Sequence, residues 1–410
     1  MNRTDPAGAP GLHQGTAEVS GRAGVYVHFP WCLAKCPYCD FVSYVASEID
    51  HAAYADAVIR ELDARADLVA GKHVESIFFG GGTPSLWRPS ELGRVLESLR
   101  ARLDVSLDVE VTVECNPTSL DVDRARALVG VGVNRLSIGV QSLDDARLRF
   151  LGRLHNAHGA VTAVRSALFA GVPRVSGDLI FGLPDQPPSD ARDEAVALVE
   201  LGLGHVSCYQ LTIEAGTRFG ELARRGRLPR ADDGAVADAF LAIDACLTDL
   251  GLNHYEISNF ARSGEEARHN LGYWRGLEYL GLGCGAFGFI RGADGSGVRW
   301  RNIVVPDRYV CATRGAARGS LGAGDRIAET SEELDAETLL RERIMLGLRM
   351  AEGFDLEAAA GELGVAAWTP DRERAASRLE QRGRLERTGG RVRIPRGAWL
   401  WADDTAARLF

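Results

Sequence analysis

The chain has 410 residues, 46% hydrophobic and 25% charged, with a formal net charge of −9. That is more than one ordinary domain and enough apolar material for a large core. The acidic balance argues against a chain built to coat nucleic acid or an anionic membrane, and no apolar run approaches the ~20 residues of a bilayer span.

Residues 1–23 are polar, small and rich in Gly and Pro, without the apolar stretch of a signal peptide. They read as a disordered lead-in to a cytoplasmic protein. From there apolar runs alternate with amphipathic ones. The expected strands are Val25–Phe29, Glu75–Phe79, Asp108–Glu114, Arg135–Val140, Arg174–Phe181 and His205–Thr212, with helical segments near 48–70, 89–103, 121–131, 144–170 and 189–202. Strict alternation of this kind predicts an α/β fold, a parallel sheet wrapped by helices. Six units suit a partial (β/α)6 barrel over 24–225 better than a closed eight-fold one. In such barrels the chemistry sits at the carboxyl ends of the strands.

Beyond 225 the rhythm changes. Residues 232–250 read as one long helix, followed by a strand-like HYEISNFA and a stretch dense in Gly and aromatics. Residues 291–330 read as junction loops, which makes 226–330 an extension and linker. The last part, 331–410, has helical periodicity and then a hairpin turned at Gly389-Gly390, a winged-helix-like α+β unit. Nine Arg against four Asp or Glu over 371–396 raise DNA binding as an option. A solvated helix and wing packed on the main domain is the better account in so acidic a chain.

Of eight cysteines, only Cys32, Cys36 and Cys39 cluster. The others, Cys115, Cys208, Cys246, Cys284 and Cys311, read as isolated free thiols. The Cys-x3-Cys-x2-Cys loop follows the first strand. A zinc site wants four protein ligands, and only His28 stands near enough to complete a Cys3His set. Three thiolates on a [4Fe–4S] cluster leave one iron open for a substrate or cofactor, which fits the pattern better. The second strand ends in Phe78-Phe79-Gly80-Gly81-Gly82-Thr83-Pro84, where missing side chains let backbone approach a ligand.

These features resemble the radical S-adenosylmethionine (SAM) enzymes, whose signature is this cysteine loop. The resemblance implies a [4Fe–4S] cluster on Cys32, Cys36 and Cys39, with SAM chelated at the open iron. It also implies SAM contacts from Tyr26, Tyr38, Gly81, Gly82, Thr83, Glu114, Gln141, Arg153 and Asp178, by likeness to the subgroup of the oxygen-independent coproporphyrinogen oxidase. A carboxylate suits ribose hydroxyls, and Arg suits the methionyl carboxylate.

Within that subgroup the chain is most similar to HemW-type haem chaperones. YVHFPWCLAKCPYCDF looks like their signature, and Phe41 stands where the oxidase has one more cysteine. His269-Asn270-x-x-Tyr273-Trp274 resembles the HNxxYW motif linked to haem binding. Imidazole is a good axial ligand, and Tyr273 and Trp274 can pack on a flat macrocycle. Phe287 departs from the family, which commonly has His there. The resemblance implies a haem carrier with a haem-accepting partner, a respiratory enzyme among the options, and flavodoxin or ferredoxin as reductant if the cluster is reduced. The alternatives are oxidative decarboxylation of coproporphyrinogen III, or a radical SAM methyltransferase or haem-degrading enzyme.

Overall fold

Six strands rich in β-branched residues form the frame: β1 (Arg22–Phe29), β2 (His73–Gly81), β3 (Asp104–Cys115), β4 (Arg135–Gln141), β5 (Arg174–Phe181) and β6 (His205–Gln210). The structure is a computed structural model that describes residues 21–46, 48–319, 321 and 325–410. Most of the expected lead-in, residues 1–20, lies outside the described residues, and Arg22 and Ala23 already belong to β1.

The strands lie side by side in chain order, every pair parallel. Between them run α1 (His51–Arg65), α2 (Pro89–Arg102), α3 (Val122–Gly130), α4 (Asp145–Phe150), α5 (Ala157–Phe169) and α6 (Pro188–Glu200). Val25, Val27, Ile77, Val111, Val113, Leu136 and Val206 are buried, as expected of parallel strands covered on both faces. The architecture is the expected partial (β/α) barrel.

The segment expected as one helix over 144–170 is two. Gly152 takes a left-handed φ of 66° after α4, and Asn156 caps α5 by accepting from Gly159 N at 2.8 Å. The break brings Gly152 so close to the cysteine loop that a Cβ there would lie 2.6 Å from Pro37 Cδ.

After α7 (Arg218–Arg224) and α8 (Asp233–Asp249) come β7 (Asn253–Glu256) and β8 (Asn259–Ala261), antiparallel beside β6. Next are α9 (Arg268–Trp274) and β9 (Glu278–Leu282), which adds a seventh parallel strand on the open edge of β1. The expectation of loops over 291–330 is wrong. Strands β10 (Phe287–Arg291), β11 (Gly297–Asn302) and β12 (Ala328–Leu334) extend the same sheet antiparallel, with α10 (Pro306–Thr313) between the last two. Much of their specification is long-range and polar. Buried Glu61 of α1 accepts from Gly283 N (2.7 Å), Asn302 Nδ2 (2.7 Å) and Tyr309 Oη (2.6 Å), and pairs with buried Arg65 at 2.8 Å. Arg65 in turn reaches Asn302 Oδ1 at 2.9 Å and Asp325 at 2.7 Å.

The C-terminal unit has its own core around Leu340, Ile344, Leu356, Leu379 and Val392. It comprises α11 (Ala336–Gly347), α12 (Leu356–Leu363), α13 (Pro370–Gln381) and a hairpin of Glu386–Thr388 with Arg391–Arg393, turned at Gly389 with φ 61°. Its arginines are largely engaged within the fold. Arg387 pairs with Glu373 (2.9 Å) and Glu380 (2.6 Å), and buried Arg372 donates to Leu409 O (2.8 Å) and Glu337 (2.7 Å).

Removing one member of a buried ion pair strands the other. Arg65→Ala is expected to lower unfolding stability by about 3–5 kcal/mol, read as a fall in the urea midpoint.

Candidate functional site

The route from β1 into the cysteine loop is fixed by backbone. Gly82 N donates to Phe29 O and Thr83 N to Trp31 O, each at 2.8 Å. A Cβ on Gly82 would lie 2.6 Å from Trp31 O, and one on Gly81, at φ 112°, would lie 2.5 Å from the His28 ring. Glycine is what permits this approach. A short parallel ladder of Trp31–Cys32 with Tyr44–Val45 closes the loop behind the cysteines.

Cys32, Cys36 and Cys39 line one cavity of about 1040 Å³ over the barrel interior. Thr83 Oγ1 donates to Cys32 Sγ and Arg153 Nη1 to Cys36 Sγ, each at 3.5 Å. Burial pushes the Cys32 and Cys39 thiols up, a penalty that a metal binding thiolate relieves. His28 does not complete a zinc site. Its Nε2 donates to Val42 O (2.8 Å), so Nδ1 accepts from the Tyr26 hydroxyl (2.9 Å), and no lone pair remains. Among the described residues no three His, Cys, Asp or Glu side chains converge on a single ion. A donor set of three separated thiolates suits a multi-iron cluster with one open corner.

Tyr38, Gly81, Gly82, Thr83, Glu114, Gln141, Arg153 and Asp178 line the same cavity. Glu114 accepts from Gly81 N at 3.0 Å, and burial pushes its carboxyl up to about 8. Asp178, also pushed up by burial, accepts from Ser137 Oγ at 2.9 and 3.1 Å. Gln141 holds a left-handed φ of 67°, unusual for a side chain of its kind and typical of a strand end that serves a site. Arg153 also donates Nη2 to Gly139 O at 2.9 Å, and its buried Nε has no protein partner, a donor left over for an anionic ligand group. Burial also pushes the Tyr38 phenol up. Tyr26 is not on the lining; it sits beside the stacked Phe78 and His269 rings.

The HNxxYW residues make up helix α9 from its second residue to its last, at the amino end of the barrel. The Glu110 carboxylate accepts from Arg268 N (3.2 Å) and His269 N (3.0 Å) at the helix start. His269 is 3% exposed; Nδ1 meets Ser76 Oγ at 2.9 Å, Nε2 meets Tyr273 Oη at 3.1 Å, and the ring stacks on Phe78. Burial pulls its pKa down to about 3. Trp274 carries the Arg349 guanidinium over its ring at 4.9 Å. Of the four motif residues Asn270 alone lines the cavity. Phe41 lies at the mouth, 60% exposed, whereas Cys284 is buried and donates to Val304 O at 2.9 Å, turned away from the cavity. Phe287 carries Arg301 over its ring at 5.2 Å.

Sequence reasoning missed Glu110, Arg135 and the Trp399–Trp401 segment of the C-terminal unit, all placed at the site by the fold. The WLW run at 399–401 was a visible signal, but nothing local ties it to the barrel.

Fold and site define a radical SAM protein, and the comparisons agree. The radical SAM superfamily profile matches residues 26–198 and the HemN C-terminal domain matches 334–401. Haem chaperone HemW of Mycobacterium tuberculosis is 35% identical over 99% of both chains, and that of Escherichia coli K12 is 42% identical over 66% of this chain and 71% of its own. The mitochondrial radical SAM domain-containing protein 1 of Bos taurus is 39% identical over 86% of this chain and 78% of its own. The solved coproporphyrinogen III oxidase HemN of Escherichia coli superposes with a TM-score of 0.77 over 96% of this chain and 91% of its own at 21% identity, a likeness of fold. The chain belongs to the HemW family of the radical SAM superfamily, whose cofactors are a [4Fe–4S] cluster and SAM.

Two outcomes follow from the geometry. Gly82→Ala is expected to displace the cysteine loop, so that iron bound per chain after anaerobic reconstitution falls below half of wild type while far-UV circular dichroism is kept. Burial holds His269 neutral in the fold, so its contribution is fully present above the unfolded pKa of about 6.5 and is lost as pH falls towards its folded value of about 3. Between pH 7 and pH 5 that loss is about 2 kcal/mol; comparing urea unfolding of wild type and His269→Gln at both pH values should show the variant's pH dependence smaller by that amount.

Proposed function

We propose that this chain is a haem chaperone that binds haem, holds a [4Fe–4S] cluster and SAM in the barrel cavity, and delivers haem to an acceptor protein. The end-to-end likeness to the haem chaperone HemW carries this reading. Phe41 supports it against the oxidase, since it stands where that enzyme has a further cysteine. The HNxxYW motif favours a carrier over a radical SAM methyltransferase, since methyl transfer gives no reason for it.

Cys32, Cys36 and Cys39 are the cluster ligands in this reading. When bound, the cluster supplies an electron to the sulfonium of SAM. Arg153 would offer its spare N–H to the methionyl carboxylate, Glu114 and Asp178 would hold the ribose hydroxyls, and Gly81, Gly82 and Thr83 would let backbone reach the amino group. Gln141 and Tyr38 close the pocket, and Tyr26 supports it from below through His28. For haem, Asn270 is the motif residue that faces the cavity; His269 could ligate the iron only by giving up the partner of one ring nitrogen, Ser76 or Tyr273, with Tyr273 and Trp274 close by in the same helix. The acceptor in this reading is a haem protein such as a respiratory enzyme, the reductant a flavodoxin or ferredoxin, and the setting the cytoplasm. No helix among the described residues is long and apolar enough to cross a membrane.

Anaerobic reconstitution tests the assignment. The wild-type chain should bind a cluster and titrate with haem, and should leave coproporphyrinogen III unchanged in the presence of SAM and reductant. Cys36→Ser should lose most iron and the brown absorbance. Conversion of coproporphyrinogen III, or no haem binding, would sink the carrier reading.

A further inference from the structure

We propose that the floor of the barrel, around Thr112, Arg135 and His205, is a binding subsite for a carboxylate group. All three side chains line the cavity at its amino end, well below the cysteine loop, and all are buried, with 1%, 1% and 2% exposure. Thr112 and Arg135 are register partners on β3 and β4, and the Arg135 charge acts on His205 from β6. Each has one buried polar atom without a protein partner: Thr112 Oγ1, Arg135 Nη2 and His205 Nδ1.

The polarity of these atoms can be assigned. Ala267 N donates to the Tyr255 hydroxyl at 3.1 Å, and that hydroxyl meets His205 Nε2 at 2.9 Å. The buried hydroxyl finds its acceptor in Nε2, so the His205 proton sits on Nδ1. Arg135 Nη2 can only donate, and its Nη1 is already committed to Glu265 O at 2.9 Å. Thr112 adds a hydroxyl that donates as readily as it accepts.

Charge points the same way. The carboxylate bonded to this cluster, Glu110, is shared by Arg174 at 3.0 Å and Arg135 at 4.0 Å, its oxygens also take two backbone N–H groups of α9, and Glu265 acts on Arg174 as well. The bonded carboxylate of the cluster is thus already taken up by two guanidinium groups and two N–H groups, which leaves Arg135 Nη2 unpaired. Asp178, the next carboxyl up the barrel, is occupied by Ser137 and Ser207. Buried donors of this kind are normally paired, and a planar acceptor with two oxygens matches a guanidinium edge. The carboxylate has two sources, a propionate of haem or a separate small carboxylate. Only the first of these rests on the haem-carrier reading.

The test uses the reconstituted full-length chain and two probes. Sodium propionate, against sodium chloride of equal ionic strength, should raise the thermal midpoint of wild type but not of Thr112→Val or His205→Phe. Haem and haem dimethyl ester should differ in affinity by about tenfold or more in wild type, the worth of a charge-assisted hydrogen bond, and by much less in the variants. An ester penalty that the variants abolish assigns the floor to a haem propionate. Stabilisation by propionate with no ester penalty assigns it to a small carboxylate. If wild type responds to neither probe, or the variants respond like wild type, the floor holds only water and the proposal is overturned. Should one variant fail to fold, the other and the wild-type arms still decide. A chain that binds neither porphyrin form overturns the carrier reading, while the propionate arm continues to report on the floor.

Discussion

The site depends on two backbone hydrogen bonds between adjacent strand ends, Gly82 N to Phe29 O and Thr83 N to Trp31 O. They lock the exit of β2 against the exit of β1 with no side chain between them. Everything the cysteine loop does inherits its position from that seam, because the loop begins one residue later. Pro37 rests on Gly152 from another direction, and its carbonyl accepts from Phe219 N at 2.8 Å. A loop of thiols is thereby held at three points by backbone and small residues, a rigid support of the kind a metal centre needs.

The frame was legible because its signals are local. Periodicity marked the six parallel strands, and cysteine spacing and the glycine run marked the rim. What was not legible depends on pairs distant in sequence. Glu278–Leu282 lies in the stretch dense in Gly and aromatics, where no strand is expected, yet it pairs along the open edge of β1. The strands after it are anchored by Glu61 and Arg65, more than two hundred residues earlier, through atoms no window of sequence compares. Gly152 and Asn156, ordinary helix punctuation, were overlooked inside a long amphipathic stretch. Their effect is to place Arg153 beside Cys36.

The HNxxYW motif shows the same difference between a residue's type and its surroundings. As text, a histidine beside aromatics suggests a ligand. In the fold, His269 lies in a run of contacts from Tyr273 through Phe78 and Tyr26 to His28, whose other nitrogen holds Val42 O just past the cysteine loop. Trp399, Leu400 and Trp401 line the same cavity, so the C-terminal unit supplies a wall as well as a domain. Its arginine-rich face is largely neutralised from within by Glu373, Glu380, Glu386 and Glu337.

That run of rings divides the barrel lengthwise. Strands β1 and β2 bring Phe78 and glycine backbone to the cavity; β3 to β6 bring Thr112, Glu114, Arg135, Ser137, Asp178 and His205. One half of the interior is poor in polar side chains and the other rich in them. A guest with an apolar edge and a polar edge therefore has one way round to lie before any single hydrogen bond is counted, and the barrel acts as a keyed slot.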